Sequence, residues 1–403
     1  GMNRYYYAPK DDPFHRDRWE ELYTEEALAD LAALADYTAA RQMDFVYCLA
    51  PGLTIEFSGE AQFMRLMEKF RQVYSVGVRH FGLLLDDIPA ELLHETDRVR
   101  FGEAVNAHIF LLRRCFAALK AMEPSVRFIV CPMEYHGRGN EYYISRLGQA
   151  LSGEIELFWT GRNICSQELL EEDAVRFAQH TLHPPLYWDN FPVNDAEMLH
   201  EMHLGPLEGR EPGLYRHCRG LALNGMEYFE CTKVAFLTAA RYLWSPEDYD
   251  PQMAWLWALE ELLGKESAAR FLPFAEQLLT SCLKVQNGPR MAAAIDRAAA
   301  LFRAGNPAAA LETLEALMLW MEDCRAFLAQ GGHPMLAELG KWIRKYNQCC
   351  DVLRQVILVL KAPKKTALRS CLEEKLEEYN ENAAVLTEFG FRAFCEKVLE
   401  YVS

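Results

Sequence analysis

The sequence predicts an α/β protein: a (β/α)8-like TIM barrel over residues 1–250, with seven of its strands in this chain, followed by an all-α helical bundle over residues 251–403. Three observations predict this architecture. Short apolar runs recur seven times in the first 250 residues, amphipathic stretches separate most of them, and only helical patterns remain after Pro251. Strands that alternate with helices form parallel sheets, and seven strands over this length favour a barrel over an open sheet.

The apolar runs are short and continuous, which is typical of strands buried on both faces. The third run, for example, passes from Phe81 to Leu85 without a polar side chain. In chain order the seven runs cover residues 5–9, 45–51, 80–87, 127–132, 155–161, 186–190 and 220–224.

Helical patterns lie between the runs and dominate after residue 251. The first, over residues 25–40, has an apolar stripe made of Leu28, Leu31, Leu34 and Tyr37. Further along, Asn306-Pro307 is a cap followed by proline at the first helical position, and another helix follows His333-Pro334. The apolar stripes of these late helices predict the core of a bundle rather than a cofactor site.

Composition excludes several classes of function. A net charge of -16 and a pI near 5.2 argue against nucleic acid or an anionic membrane as a partner. No apolar run reaches membrane-spanning length, no signal-peptide pattern appears, and the 12 cysteines form no Cys-x-x-Cys pair. His200 and His203 lack further ligands in a matching pattern. We therefore expect a cytoplasmic protein without a metal site; a segment preceding this chain would leave secretion open.

Polar residues fall at the carboxyl ends of the predicted strands, where (β/α) barrels build their active sites. Taken singly, each of them is better explained as a loop residue or a helix cap. Together, at one rim, they predict a site. In chain order they are Lys10, Asp11, Asp12, Asp86, Asp87, Glu134, Tyr135, Thr160, Asp189, Asn190, Asn194, Asp195 and Asn224.

Eight stretches form a distinctive series along the chain: "YYYAPKDDPFHRDRW", "DFVYCLAPGL", "GLLLDDI", "CPMEYHG", "FWTG", "YWDNFPVND", "HLGPLEGR" and "ALNGMEYFECTKVAF". In this order they resemble the catalytic domain of glycoside hydrolase family 84, which contains O-GlcNAcases and bacterial β-N-acetylglucosaminidases, some described as hyaluronidases. The resemblance covers roughly residues 2–285. It implies an eight-stranded barrel whose first strand, with a Gly-Phe-Tyr-Gly type motif, is missing upstream of the first stretch.

The resemblance implies roles for the paired acids Asp86 and Asp87. Two carboxylates at one strand end are poorly placed to stand on opposite sides of an anomeric carbon, as acid and nucleophile do in ordinary retaining glycosidases. They suit substrate assistance, in which the sugar's own 2-acetamido carbonyl attacks and forms an oxazoline. Asp86 would orient the acetamido group, and Asp87 would act as the acid and then as the base.

The resemblance also implies contacts to the sugar. Asp195 would bind the 4- and 6-hydroxyls, Asn224 and Lys10 the 3-hydroxyl region, Asn190 and Tyr135 the acetamido group, and Trp188 and Cys131 its methyl. No metal or organic cofactor is required.

Two functions remain open at this point. The first is a β-N-acetylglucosaminidase that removes terminal β-linked GlcNAc from a glycan or from an O-GlcNAc-modified protein. The second is a catalytically impaired, truncated barrel that binds GlcNAc or another protein. With one strand missing, the first and last strands are expected either to pair in a contracted barrel or to be covered by another segment or chain, the latter allowing an oligomer.

Overall fold

The computed structural model describes residues 2–284, 288–362, 366–387 and 390–401. Its strands each overlap one of the apolar runs that predicted them. They are β1 (Arg4–Tyr7), β2 (Asp44–Leu49), β3 (His80–Leu84), β4 (Phe128–Cys131), β5 (Glu156–Trp159), β6 (Leu186–Asp189) and β7 (Gly220–Leu223).

The strands form one seven-stranded sheet in the order β1-β2-β3-β4-β5-β6-β7. Neighbours run parallel, with Tyr5 opposite Phe45 between β1 and β2, and Leu84 opposite Cys131 between β3 and β4. Parallel neighbours that follow each other along the chain need long crossover connections, most of which are helical here, and they bring all carboxyl ends to one edge. The predicted TIM-like architecture is therefore confirmed.

The sheet ends at β1 on one side and at β7 on the other. A contracted seven-stranded barrel would need a ladder between these two strands, and no such ladder occurs among the described residues. That part of the prediction was wrong, because both strands keep a free edge instead of closing on each other.

Side chains alternate along the strands between two apolar clusters, as the period of two in a β-strand requires. In β2, Tyr47 and Leu49 pack with the surrounding helices, whereas Val46 and Cys48 belong to a small inner cluster. The inner cluster contains Val46, Cys48, Ala50, Leu84, Ile129, Cys131, Phe158, Leu186 and Ala222.

Seven helices follow the strands. They are α1 (Glu25–Ala39), α2 (Glu60–Ser75), α3 (Glu95–Phe101), α4 (Ala104–Met122), α5 (Tyr142–Ala150), α6 (Glu171–Thr181) and α7 (Phe229–Trp244). The first of them is capped by its own sequence: Thr24 accepts a hydrogen bond from the Ala27 amide at the start of α1.

The apolar stripe predicted for α1 was wrong in part. Its buried residues are Leu31, Ala35 and Thr38, whereas Tyr37 is 57% exposed. Steps of three residues advance about 300° around a helix, so a stripe built only of such steps drifts to the opposite face within three of them.

The remaining helices are α8 (Pro251–Leu263), α9 (Lys265–Ala275), α10 (Pro289–Arg303), α11 (Pro307–Gln330), α12 (Pro334–Glu338), α13 (Gly340–Lys361), α14 (Thr366–Glu381) and α15 (Phe391–Tyr401). Asn306 caps α11 as predicted, accepting from the Ala309 amide at 3.2 Å. The helix predicted after His333-Pro334 is divided between α12 and α13. Large apolar side chains such as Trp255, Phe274 and Trp342 form the core of this part.

The chain divides into two compact units by its internal contacts. We call Gly1–Asp189 with Arg210–Ala222 the barrel unit, and Asn190–Gly209 with Leu223–Ser403 the helical unit. The division into domains at residues 1–250 and 251–403 stays a prediction. Among the described helices, none has the length and apolar character needed to cross a lipid bilayer.

Candidate active site

Asp86 and Asp87 lie directly beyond the carboxyl end of β3. The ladder continues one step past the strand, because the Leu85 amide donates to the Cys131 carbonyl at 2.9 Å. Asp86 lies two residues after Leu84, which faces the inner cluster, so the alternation of the strand directs its side chain to the same side. Asp87 is exposed, so the two neighbouring carboxyls meet different surroundings.

The backbone at Asp87 is in the left-handed region, with φ of +54°. For residues other than glycine this conformation costs roughly 1–2 kcal/mol, although aspartate tolerates it better than most. Such local strain is often found where a side chain must be aimed for function. Here it turns the chain sharply between two acids.

The carboxyl of Asp86 has an unused acceptor. Its Oδ1 is buried and accepts no hydrogen bond from any described residue. Burial raises the pKa of Asp86, the charge of Asp87 raises it further, and Arg16 and His15 act in the opposite direction. A buried acceptor without a donor is costly, so this oxygen is suited to a donor that a ligand brings.

Two further predicted residues, Tyr135 and Cys131, interact with the acids within the barrel unit, and a third, Trp188, packs on the inner cluster. The Tyr135 hydroxyl donates to Asp87 Oδ1 at 3.1 Å, and burial together with the Asp87 charge raises the pKa of Tyr135, which keeps it a donor. Burial, reinforced by both carboxylates, raises the pKa of the Cys131 thiol. Trp188 stands edge-on to Phe158 at a centroid distance of 5.0 Å and packs on the same inner cluster.

The loop after β1 contains two residues that the sequence analysis named, Lys10 and Asp12. Lys10 is exposed on it. Asp12, noted only as a strand-end acid, accepts from the hydroxyls of Tyr7 at 2.9 Å and Tyr23 at 2.6 Å, and from the Phe14 amide at 2.8 Å. Asp12 is therefore the anchor of this loop.

Arg16, on the same loop, was missed entirely. It reaches both Asp86 and Asp87. The density of charged side chains in "KDDPFHRDRW" was the available signal, but an exposed charge run usually means only a solvated loop.

The other predicted residues lie in the helical unit. The Asn224 side-chain amide donates to Asn190 Oδ1 at 3.0 Å, and the Val193 amide donates to the Asn224 carbonyl at 2.9 Å. The Cys282 thiol donates to the Asn190 carbonyl at 3.2 Å. Asp195 is exposed at the start of a short 3-10 turn, Ala196–Met198. Asn190 and Asn224 are thus brought together as a pair of side-chain amides.

Some strand-end residues have structural roles instead. Asp189 forms a buried ion pair with Arg210, Thr160 donates to the Asn163 carbonyl at 2.7 Å, and the Asn194 side chain donates to the Glu201 carbonyl at 2.8 Å. For these three, the loop interpretation is the correct one. Across the described ranges, no group of three or more His, Cys, Asp or Glu side chains is arranged to hold a metal ion.

Comparison with known proteins gives independent evidence for the family of this chain. The family model for beta-N-acetylglucosaminidase matches residues 1–276. The rat and mouse proteins named Protein O-GlcNAcase are each 32% identical over 247 residues, which is 60% of this chain and 26% of those proteins. The chain thus spans about a quarter of the length of these relatives.

A solved structure extends the similarity along the whole chain. A point mutant of the O-GlcNAc hydrolase of Thermobaculum terrenum is 30% identical, with a TM-score of 0.95 over 99% of this chain and 88% of that one. With a family model that matches well over half of its residues and a barrel that carries paired acids after the third strand, this chain belongs to the beta-N-acetylglucosaminidase family of glycoside hydrolases, family 84.

Proposed function

We propose that this protein is a β-N-acetylglucosaminidase that hydrolyses terminal β-linked GlcNAc with retention, by substrate-assisted catalysis through an oxazoline. The single observation that carries the proposal is the contrast between the two acids. Asp86 presents a buried, unpartnered oxygen, and the adjacent Asp87 is exposed on a left-handed turn. One carboxyl is thereby suited to orient a donor, the other to exchange protons with groups that enter and leave.

In the first step, the acetamido carbonyl oxygen attacks C1 of the sugar and the bond from C1 to the aglycone oxygen breaks. Asp87 gives its proton to that oxygen, so the aglycone leaves as a neutral alcohol. Asp86 accepts the acetamido N-H and stabilises the positive charge that develops on the group. A tethered nucleophile has the large effective molarity of an intramolecular reaction.

In the second step, a water molecule attacks C1 from the face that the aglycone left. Its proton passes to the Asp87 carboxylate, the bond from C1 to the oxazoline oxygen breaks, and the acetamido group is restored. Asp87 is then protonated again for the next turnover. Two inversions at C1 give net retention, and no redox change or metal is needed for the balance.

The binding roles belong to the same proposal. Asp195 would hold the 4- and 6-hydroxyls, Asn224 and Lys10 the 3-hydroxyl region, and Asn190 the acetamido group, with Trp188 and Cys131 around the methyl. The Asn190–Asn224 hydrogen bond supports these assignments, because it fixes the orientation of both amides before a ligand arrives. The neutral thiol of Cys131 suits a methyl contact.

Leaving-group dependence tests the roles of the acids. In Asp87→Asn, hydrolysis of a GlcNAc glycoside of a poor leaving group should fall by roughly 10²–10⁴-fold, whereas an activated aryl glycoside should lose much less, since only the former needs protonation. Asp86→Asn should depress both. Asp30→Asn, an exposed change on α1, is the matched control. Equal losses on both substrates in Asp87→Asn would contradict the acid–base role.

Inhibition tests the intermediate. A GlcNAc thiazoline imitates the bicyclic oxazoline and should compete with substrate on the order of 10²-fold or more better than GlcNAc itself. An active enzyme that ignores the thiazoline, or that accumulates a glycosyl ester on an aspartate, uses another mechanism.

The catalytically impaired barrel remains the second candidate, favoured by the two free edges of the sheet. GlcNAc binding measured by calorimetry without any turnover of an aryl glycoside would establish it. Under the first candidate, the substrate is O-GlcNAc-modified protein or a GlcNAc-ended glycan, distinguished by comparing a glycopeptide with a chito-oligosaccharide. The twelve cysteines all carry free thiols, which supports a reducing, cytoplasmic location, to be checked by fractionation.

A further inference from the structure

The loop after β1 is fixed at several points on either side of Arg16. His15 Nδ1 forms a hydrogen bond with the Cys48 carbonyl at 2.8 Å, and the Ala50 amide donates to the His15 carbonyl at 2.9 Å. Three residues later, Trp19 Nε1 donates to Thr54 Oγ1 at 2.9 Å. The backbone at residue 16 is therefore attached to the segment at the carboxyl end of β2, next to β3.

From this position, the Arg16 side chain reaches the paired acids. Its Nη2 donates to the main-chain carbonyl of Asp87 at 3.2 Å, and its Nη1 lies 4.0 Å from Asp86 Oδ2. The side chain of Arg16 is only 20% exposed, which reduces screening by water. One guanidinium thus contacts the strained peptide of one acid and the carboxylate of the other.

We propose that Arg16 is a positioning residue for the hydrolytic reaction: it holds the left-handed turn at Asp87 and supplies the fixed positive charge that keeps the Asp86 carboxyl ionised. This inference rests on the proposed function for its catalytic consequence. Its structural part, a charge that acts on Asp86, is measurable without turnover.

Arg16 acts against several opposing groups. The burial of Asp86 and the charge of Asp87 both raise the pKa of Asp86, whereas a hydrogen bond from its own backbone amide, then Arg16 and, when protonated, His15 lower it. Burial lowers the pKa of His15, so His15 is a poor substitute for a permanent cation. The other titratable groups that face Asp86 are Cys48 and Tyr135, together with Cys131. Their pKa values are raised, so all three stay uncharged near neutral pH. Arg16 is therefore the permanent cation among the groups that act on Asp86.

The two functions of the guanidinium are separable by substitution. Arg16→Gln keeps a donor for the Asp87 carbonyl but removes the charge. Arg16→Lys keeps the charge but replaces the planar fork by a single ammonium group. Arg18→Gln removes a cation from the same loop, where Arg18 pairs with Glu21 at the exposed surface, and is the matched control.

The first measurement is the titration of the Asp86 carboxyl by carbon NMR in ¹³C-aspartate-labelled protein, assigned with Asp86→Asn. In Arg16→Gln the pKa of Asp86 should rise by about 1, the lower end of the shift expected for an opposite charge within about 4–6 Å. Arg16→Lys should titrate close to wild type, as should Arg18→Gln. An Asp86 pKa unchanged in a folded Arg16→Gln protein would overturn the proposal.

The second measurement is the pH dependence of kcat/KM on an aryl GlcNAc glycoside. Losing Arg16 should move the acidic limb to higher pH by the same amount, because a higher pH is then needed to keep the Asp86 carboxyl ionised. A lower kcat with an unmoved limb means a merely structural role and contradicts the inference. If wild type itself is inactive, the proposed function fails, while the NMR titration still decides the role of Arg16. If Arg16→Gln fails to fold, Arg16→Met removes the same charge and takes its place: the pKa of Asp86 should rise in this variant too, and an unchanged Asp86 pKa overturns the proposal.

Discussion

The buried ion pair between Asp189 and Arg210 allows a quantitative prediction. Both side chains are almost inaccessible, at 3% and 1% exposed, and they meet twice, Nε to Oδ2 at 2.8 Å and Nη2 to Oδ1 at 2.5 Å. Two further guanidinium N–H groups donate to the carbonyls of Gln167 at 2.9 Å and Ser166 at 3.3 Å. The pair therefore ties the end of β6 to two distant loops.

Removing one partner should be costly because the other charge stays buried. We expect Asp189→Asn and Arg210→Met each to lower the free energy of unfolding by about 3–5 kcal/mol, the usual loss when a buried pair is broken from one side. Replacing both partners, as in Asp189→Leu with Arg210→Met, should cost clearly less than the sum of the single changes, since no unpaired charge remains.

These differences are measured by equilibrium unfolding in urea, followed by far-UV circular dichroism and by tryptophan fluorescence. The free energies apply if both signals give the same unfolding transition, because unfolding is then two-state. Arg18→Met, which breaks the exposed pair with Glu21, should change stability by about 1 kcal/mol or less and serves as the control. Additive losses in the double variant, or single losses as small as the control, would refute the reasoning.

Three further predictions concern packing, protonation and capping. A Cβ on Gly82 would stand 2.6 Å from Cys48 Sγ, so Gly82→Ala should destabilise the protein by about 1–3 kcal/mol, and adding Cys48→Ala should recover part of the loss in the same urea assay. Burial lowers the pKa of His108 to about 3, so the folded protein should lose stability as the pH drops below about 6.5, where the unfolded-state histidine takes up its proton. The variant His108→Gln should therefore show a smaller decline of Tm between about pH 6.5 and 4. An unchanged decline would argue against this role of His108. Asn306→Ala removes the bond to the Ala309 amide and should cost about 1 kcal/mol in thermal unfolding, with Asn306→Asp near neutral.

Much of the fold was predictable because it depends on local patterns. A run such as residues 81–85 reads as a buried strand whatever surrounds it, and parallel order then places Asp86 and Asp87 at the rim. The cap at Asn306 is equally local, since the bond it makes spans three residues. These features need no knowledge of which distant segments meet.

Arg16 and Asp12 were not predictable in their roles for the opposite reason. Asp12 is defined by Tyr7 and Tyr23, and Arg16 by acids 70 and 71 positions further along the chain, so only the folded loop gives them meaning. Asp189 shows the reverse error: its strand-end position suggested ligand binding, but Arg210, 21 residues away, uses both of its oxygens.

The order of the sheet also determines where it opens. In a closed barrel every strand has two neighbours, whereas here β1 and β7 each have one, so amide hydrogens should exchange first at these edges and last around the central strand β4. The two acids follow β3, next to that centre. Local opening that begins at either edge can therefore disturb the outer strands many times before it reaches the acid pair.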